Sequence, residues 1–261
     1  MNRIELCKPI IIAGPCAAES RENALSTAES AIKRGIDIVR LSLWKPRTRP
    51  GFEGVGNAGI PWLAEVAEMG LIPATEVMLP SDAEAVINKV IKETSDKQIL
   101  IWLGSRNQNH RIQSEIGRVI TGEPRVMLMI KNQPWLDQAH WEGIIEHALC
   151  GGASKEQLLI CHRGFQPGSN GNRNDACLEM AMDVKQKTGI PMIIDPSHIG
   201  GSVPNVLSIA EKAIHFRRNG IGFDGLIVEI HPNPEQALTD KNQQLAWKQF
   251  DQIRNGTIFQ T

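Results

Sequence analysis

The 261-residue sequence has no run long and apolar enough to span a bilayer, and residues 1–12 lack the basic start and small-residue cleavage site of a signal peptide. A soluble, cytoplasmic protein is therefore expected. Charge of one sign is also lacking: 28 Lys and Arg against 29 Asp and Glu leave a formal net charge of −1. Nothing in that balance points to nucleic acid or a membrane as partner. The five cysteines, Cys7, Cys16, Cys150, Cys161 and Cys177, are odd in number and without paired metal-ligand spacings. They argue against a disulfide framework, and most are expected to be small buried hydrophobes. No linker, low-complexity stretch or charge block marks a second domain. The six tryptophans are dispersed and show no base-stacking pattern; Trp44 adjoins Lys45 and is placed to report ligand binding by fluorescence.

What is present is a repetition. At 41% hydrophobic content the chain can bury a large core, and eight apolar, strand-like runs each end in a polar residue. They read IIIAG-PC (Cys16), IDIVRLSLW-KPRT (Lys45, Arg47), LIPAT-E (Glu76), ILIWLG-SRN (Arg106), VMLMI-KN (Lys131), LLICH-RG (Arg163), MIID-PSH (His198) and GLIV-E (Glu229). Between and after them, apolar spacings of three and four predict helices near 20–34, 61–69, 81–94, 109–120, 134–149, 175–187, 203–217 and 240–253. Ser81 with Glu84 has a capping-box spacing, Pro61 and Pro134 suit a first helical position, and Gly35, Gly70 and Gly189 fall at helix ends. Strict alternation, eight times over, predicts parallel strands joined by right-handed crossovers. The count selects an α/β fold of the (β/α)8 TIM-barrel type, a single catalytic domain over residues 1–261, above a doubly wound open sheet. Active sites of such barrels lie at the C-terminal ends of the strands, where the reactive residues fall.

The tips divide by chemistry. Cys16, His198, Glu229 and Asp240 make a mixed donor set suited to one divalent metal ion, with Mn, Fe, Co and Zn all open. Each also has a plainer reading: a core thiol, a loop histidine, a partner for an arginine, a cap of the last helix. His231, two residues from Glu229, competes for the same role. The second set is cationic: Arg40, Lys45, Arg47, Arg106, Lys131 and Arg163. Six cations on one rim call for anions, more than one phosphate among them; alternatively Arg40 or Arg47 pairs with Asp37 or Glu53. Residues 164–174, rich in Gly and Asn, have no phosphate-loop spacing and read as a mobile loop in which Asn174 is a candidate cap.

The motifs GPC (14–16), KPRT (45–48), GSRN (104–107), IKN (130–132), HRG (162–164), DPSH (195–198), VEIHP (228–232) and LTD (238–240) together resemble the 3-deoxy-D-arabino-heptulosonate 7-phosphate (DAHP) synthases, most nearly their compact type I beta form. The likeness spans nearly the whole chain. It implies a metal-dependent TIM-barrel transferase that condenses phosphoenolpyruvate with erythrose 4-phosphate and water, releasing phosphate, at the entry to aromatic biosynthesis through the shikimate pathway. Carried over by motif, it makes Cys16, His198, Glu229 and Asp240 the metal ligands. Arg40, Lys45, Arg106, Lys131 and Arg163 would hold phosphoenolpyruvate beside Gly104 and Ser105, and Glu76 would lie near its phosphate. Pro46, Arg47 and Thr48 would meet the sugar phosphate, with Lys131, Lys45 and His198 the catalytic candidates. A homo-oligomer, dimer or tetramer, is implied, as is a fused or associated chorismate mutase if the chain is the catalytic part of a longer protein. The nearest rival is a 3-deoxy-D-manno-octulosonate 8-phosphate synthase using arabinose 5-phosphate, in which a KANR-type sequence stands in place of KPRT. A catalytically silent metabolite-binding or scaffold protein would show damage to the donor or cation set, and none is visible.

Overall fold

The computed structural model describes residues 9–46, 51–94 and 96–255. Eight strands, β1 (Ile10–Gly14), β2 (Ile38–Arg40), β3 (Ile72–Val77), β4 (Ile99–Leu103), β5 (Val126–Lys131), β6 (Leu158–His162), β7 (Met192–Ile194) and β8 (Gly225–Glu229), pair in parallel and in chain order. The ring closes where Ile10 lies opposite Gly225 and Gly14 opposite Glu229. This is the expected (β/α)8 barrel.

Strands buried on both faces read as unbroken apolar runs, and each face has its own partners. One face packs outward on helices α1 (Arg21–Ile32), α2 (Ile60–Glu68), α3 (Pro80–Ile87), α4 (His110–Val119), α5 (Gln138–Gly151), α6 (Leu178–Thr188), α7 (Pro196–Gly200), α8 (Val203–His215) and α9 (Trp247–Asn255). In α1 the buried stripe is Ala24, Thr27, Ala28 and Ala31, small residues at helical spacing that bring the helix close to the sheet. The other face fills the barrel: Ile10, Ile12, Ile38, Ala74, Leu100, Trp102, Met127, Met129, Leu159, Cys161, Ile193 and Ile227 form a cluster separate from the outer core.

Several predicted boundaries moved. Helix α3 starts at Pro80, where the Asp82 carboxylate accepts from the backbone N–H of Met78 (3.0 Å) and Leu79 (2.9 Å), so Asp82 does the work expected of Ser81 and Glu84. Helix α5 starts four residues beyond Pro134, capped by Asp137, whose side chain accepts from His140 N–H (2.9 Å). The last helix begins at Trp247, so Asp240 is no cap. Gly35 and Gly70 do follow α1 and α2, at φ 61° and 87°, and Gly189 closes α6 at φ 62°. Residues 164–174 are tied down: Phe165 and Asp175 exchange backbone hydrogen bonds, and Arg173 and Asn174 N–H donate to the carbonyls of Gly200 and Ile199. The cap of α6 is Cys177, and the Asn174 side chain donates instead to the His198 carbonyl (2.5 Å). Among the described residues no helix is long and apolar enough to cross a membrane.

Candidate active site

Side chains alternate across a strand, so every second residue enters the barrel. Each inward column begins apolar and ends in a group that the sequence singled out: Ile38 then Arg40, Ala74 then Glu76, Met127 and Met129 then Lys131, Leu159 and Cys161 then Arg163, Ile227 then Glu229. On β7 the column runs Ile193 to Asp195. On β4 it runs Leu100, Trp102, Gly104. A Cβ on Gly104 would stand 1.9 Å from Glu76 Oε1, so the missing side chain is what admits the Glu76 carboxyl.

The metal-donor candidates come together. One donor atom each from Cys16, Glu229 and Asp240 lie within 4.8 Å of one another, and Cys16 Sγ is 3.2 Å from Asp240 Oδ2. His198 stands beside this trio, its Nε2 3.7 Å from Glu229 Oε1. A thiol, an imidazole and two carboxylates fit a divalent ion of intermediate softness. Asp240 is set in left-handed backbone, φ 44°, an uncommon conformation that Asp tolerates better than most residues. Burial, then the charge of Glu229, pushes the Cys16 thiol far up; a bound divalent ion would reverse that balance. His231 does not join the donors: its Nδ1 accepts from Asn233 N–H (3.0 Å), and its Nε2 lies 3.0 Å from Asn23 Nδ2 and 3.5 Å from Glu19 Oε2.

The cations are distributed differently from the expectation that all await external anions. Lys45 reaches into the donor trio, with Nζ 2.6 Å from Cys16 Sγ and 2.8 Å from Asp240 Oδ2. Burial disfavours its charge, yet Cys16, Glu229 and Asp240 outweigh burial and hold its pKa above the usual lysine value. Arg40, fully buried, pairs with Glu229 (3.1 Å) and not with Asp37, and also donates to the carbonyls of Pro15 and Cys16. Its Nη1 has no hydrogen-bond partner among the described residues. Lys131 donates to Asp195 Oδ2 (2.8 Å). Arg163 is 5% exposed, and apart from a long bond to the Gly164 carbonyl (3.5 Å) its side chain makes no hydrogen bond or ion pair among the described residues. Burial lowers its pKa to about 10, with Arg173 and Arg106 adding repulsion against the pull of Asp195. Arg106 is more exposed and donates to the Pro46 carbonyl (3.3 Å), joining the loops after β2 and β4. Ser105 is half-buried beside buried Gly104. Burial raises the Glu76 pKa, opposed by Lys45 and Lys131. Arg47 and Thr48 lie outside the described residues.

The sequence matches the DAHP synthetase I family over residues 7–257. The chain belongs to that family. A phospho-2-dehydro-3-deoxyheptonate aldolase of Thermotoga maritima is 31% identical over 251 residues, covering 93% of this chain and 67% of the relative. A 2-dehydro-3-deoxyphosphooctonate aldolase of an Azoarcus species is 26% identical, over 91% of this chain and 85% of that protein. The crystal structure of the Thermotoga maritima DAHP synthase superposes with a TM-score of 0.81 at 29% identity, over 94% of this chain and 67% of that one. A truncated form of the Thermotoga enzyme gives 0.77 at 26% identity, over 94% and 84%. The family read from the motifs and the family matched by the whole chain are the same.

Around this cluster of donors and cations stand residues that the reading of strand tips passed over. Asp195 joins Lys131 to His198. Trp102 lies under the cations, its ring centroid 5.4 Å from the Arg40 guanidinium and 5.5 Å from Lys131 Nζ, while its indole N–H donates to Glu76 (3.3 Å). Gln243 donates to Glu229 Oε2 (2.7 Å) and accepts from Arg173 (2.8 Å), which also reaches Asp240 Oδ1 (3.5 Å). Asp195 was discoverable: Asp followed by Pro is a helix cap and first-turn signal, and α7 uses both. Trp102 faces into the barrel by the period of two of an extended strand, which the reading of strand tips did not use. Nothing short-range marks Gln243 or Arg173.

Proposed function

We propose that this chain condenses phosphoenolpyruvate with erythrose 4-phosphate and water to give DAHP and inorganic phosphate. The observation that carries the reading is the buried Arg40 guanidinium, whose Nη1 has no partner among the described residues, on one rim with Lys131, Arg163 and the Cys16, Glu229, Asp240 donor trio. A buried donor without a partner is costly, and an anionic substrate group relieves that cost. Phosphoenolpyruvate brings a phosphate and a carboxylate, and its C3 is a weak nucleophile that must approach a second phosphorylated molecule. Arg40, Lys131 and Arg163, with Arg106 at the mouth, neutralise those groups and fix the approach, while Arg47 and Thr48 take the phosphate of the sugar.

Cys16, His198, Glu229 and Asp240 would hold a divalent ion, Mn, Fe, Co or Zn, which when bound would supply Lewis-acid polarisation of the aldehyde carbonyl. C3 bonds to the aldehyde carbon, water adds at C2 of the former phosphoenolpyruvate and gives one proton back to Lys131, and the C–O bond at C2 breaks as the added hydroxyl becomes the ketone and passes its proton to the departing phosphate. The new hydroxyl takes its proton from the Lys131 ammonium, which Asp195 holds in place. Glu76, buried but without an ion pair among the described residues, lies on the phosphate side and meets it through water.

Purified protein is incubated with phosphoenolpyruvate and either erythrose 4-phosphate or arabinose 5-phosphate, and loss of phosphoenolpyruvate absorbance is followed. Loss with erythrose 4-phosphate alone, abolished by a chelator and by Cys16→Ala, is expected. Turnover only with arabinose 5-phosphate assigns the octulosonate reaction instead, and no loss with either sugar overturns both. Full activity after chelation and in Cys16→Ala removes the metal.

A further inference from the structure

Lys131, on β5, and His198, in α7, belong to the two halves of the proposed site, and a single buried carboxylate stands between them. Asp195 Oδ2 accepts from Lys131 Nζ at 2.8 Å and from His198 Nδ1 at 2.8 Å, while Oδ1 accepts from the His198 backbone N–H at 3.1 Å. Asp195 is 0% exposed, so no water competes for these contacts from outside. The neighbouring turn is fixed as well, with Ser197 Oγ accepting from the Glu229 backbone N–H (2.9 Å).

The geometry dictates a tautomer. A carboxylate at Nδ1 keeps the imidazole proton there, which leaves the Nε2 lone pair directed to the side on which Glu229 Oε1 lies 3.7 Å away. We infer that Asp195 is a positioning residue that holds His198 in the Nδ1–H tautomer for metal ligation and, through Lys131, links occupancy of the anion cradle to affinity of the metal site. This rests on the proposed metal site and cradle, and goes beyond them by making the two sites energetically coupled through one carboxylate. An anion that draws Lys131 toward itself weakens the Lys131 bond to Oδ2 and strengthens the bond of the same oxygen to His198. Phosphoenolpyruvate and the metal ion therefore favour each other's binding, by the same factor in both directions.

Asp195→Asn is the informative change. Asn is as good a helix cap as Asp, so its side-chain oxygen stays with the His198 N–H and its amide NH2 turns to His198 Nδ1. An amide donor there demands an acceptor, which moves the imidazole proton to Nε2 and removes the lone pair a metal needs. Two measurements on the whole protein read this. In metal-free, 15N-histidine-labelled protein, the His198 ring is expected as the Nδ1–H tautomer in the wild type and as Nε2–H in Asp195→Asn. A wild type that is Nε2–H overturns the inference whether or not a metal site exists.

By calorimetry with Mn2+ alone, Asp195→Asn is expected to bind about 10- to 100-fold more weakly than wild type, and phosphoenolpyruvate is expected to tighten Mn2+ binding in the wild type only. Equal Mn2+ affinity in the two proteins overturns the positioning role. For the link itself, Lys131→Met keeps Asp195 and the tautomer, and is expected to bind Mn2+ but to lose the tightening by phosphoenolpyruvate even at a phosphoenolpyruvate concentration that saturates the variant. Tightening of wild-type size in Lys131→Met overturns the coupling. Absence of Mn2+ binding to the wild type sinks the proposed metal site, and the tautomer measurement then decides the positioning claim by itself.

Discussion

The lower interior of the barrel and its upper rim are built from the same columns of inward-facing residues, yet they obey opposite rules. Ile10, Ile12, Ile38, Leu100, Met129 and Ile227 fill the lower part, where burial of apolar area stabilises and no polar group needs a partner. Two residues further along, the columns carry Arg40, Glu76, Lys131, Asp195 and Glu229, all buried and all capable of charge. Burying such groups costs several kcal/mol per ion unless each is paired, and pairing seldom does better than break even. The lower region holds the barrel together; the upper region is held together by it.

The sharpest way to break this comparison is to cut β2 at two heights. Arg40→Met leaves Glu229 buried without its cation, and is expected to lower the stability by about 3–5 kcal/mol. Ile38→Ala, one step below, is expected to cost about 2–5 kcal/mol through lost burial and a cavity. Urea unfolding measures both, and on that axis alone they look alike. Phosphoenolpyruvate binding separates them, since Arg40→Met loses it and Ile38→Ala keeps it. The double variant Arg40→Met with Glu229→Leu is expected to regain much of the lost stability while remaining inactive, because an apolar pair has no charge to satisfy. A double variant no more stable than Arg40→Met shows that the rim is structural after all.

A middle-sized effect is expected outside the barrel wall. His162, at the outward end of β6, is stacked among Trp141, Phe165 and Phe223, and its Nε2 bonds the Ala176 carbonyl. Burial lowers its pKa to about 4 from an ordinary 6.5; the Ala176 bond opposes burial, Arg163 assists it, and Asp175 and Asp195 pull the other way. The unfolded chain therefore takes up a proton in the window from pH 6.5 to 4 that the folded protein refuses. Stability is lost as pH falls through that window and regained as it rises. A depression of that size corresponds to about 3 kcal/mol. His162→Phe should remove that part of the slope in unfolding measured between pH 7 and 4. An unchanged slope assigns the acid sensitivity to other groups.

Legibility followed the range of the interactions. The alternation of strand and helix, and the apolar runs that end in a polar residue, as VMLMI ends at Lys131, are local, so the barrel and the reactive tips could be read residue by residue. Which tip meets which could not. Arg40 chooses Glu229 over the adjacent Asp37, and Lys45 joins Cys16 and Asp240 instead of the arginines, because closing the ring sets β1 and β8 side by side. Asp195 could have been read as a cap but not as a bridge, since its second partner, Lys131, comes from a strand 64 residues away. Asp240 looked like a helix start because Asp is a cap residue; its left-handed backbone follows from the turn that carries it to Cys16, which no spacing encodes.

Trp102 lies on the boundary between the two regions and gives the smallest and most discriminating test. Its ring belongs to the apolar interior, its N–H to Glu76, and its face to Arg40 and Lys131. Trp102→Phe keeps a face and loses the hydrogen bond, an effect of about 0.5–1.5 kcal/mol, expected as a rise in KM for phosphoenolpyruvate with little change in kcat. Trp102→Leu removes the face as well, and with it a further ~0.5–2 kcal/mol of attraction to each desolvated cation. Equal damage from the two variants places the whole effect in the Glu76 bond. Losses of stability without any change in KM place Trp102 among the lower residues, as packing alone, and move the boundary of the cradle up to Gly104.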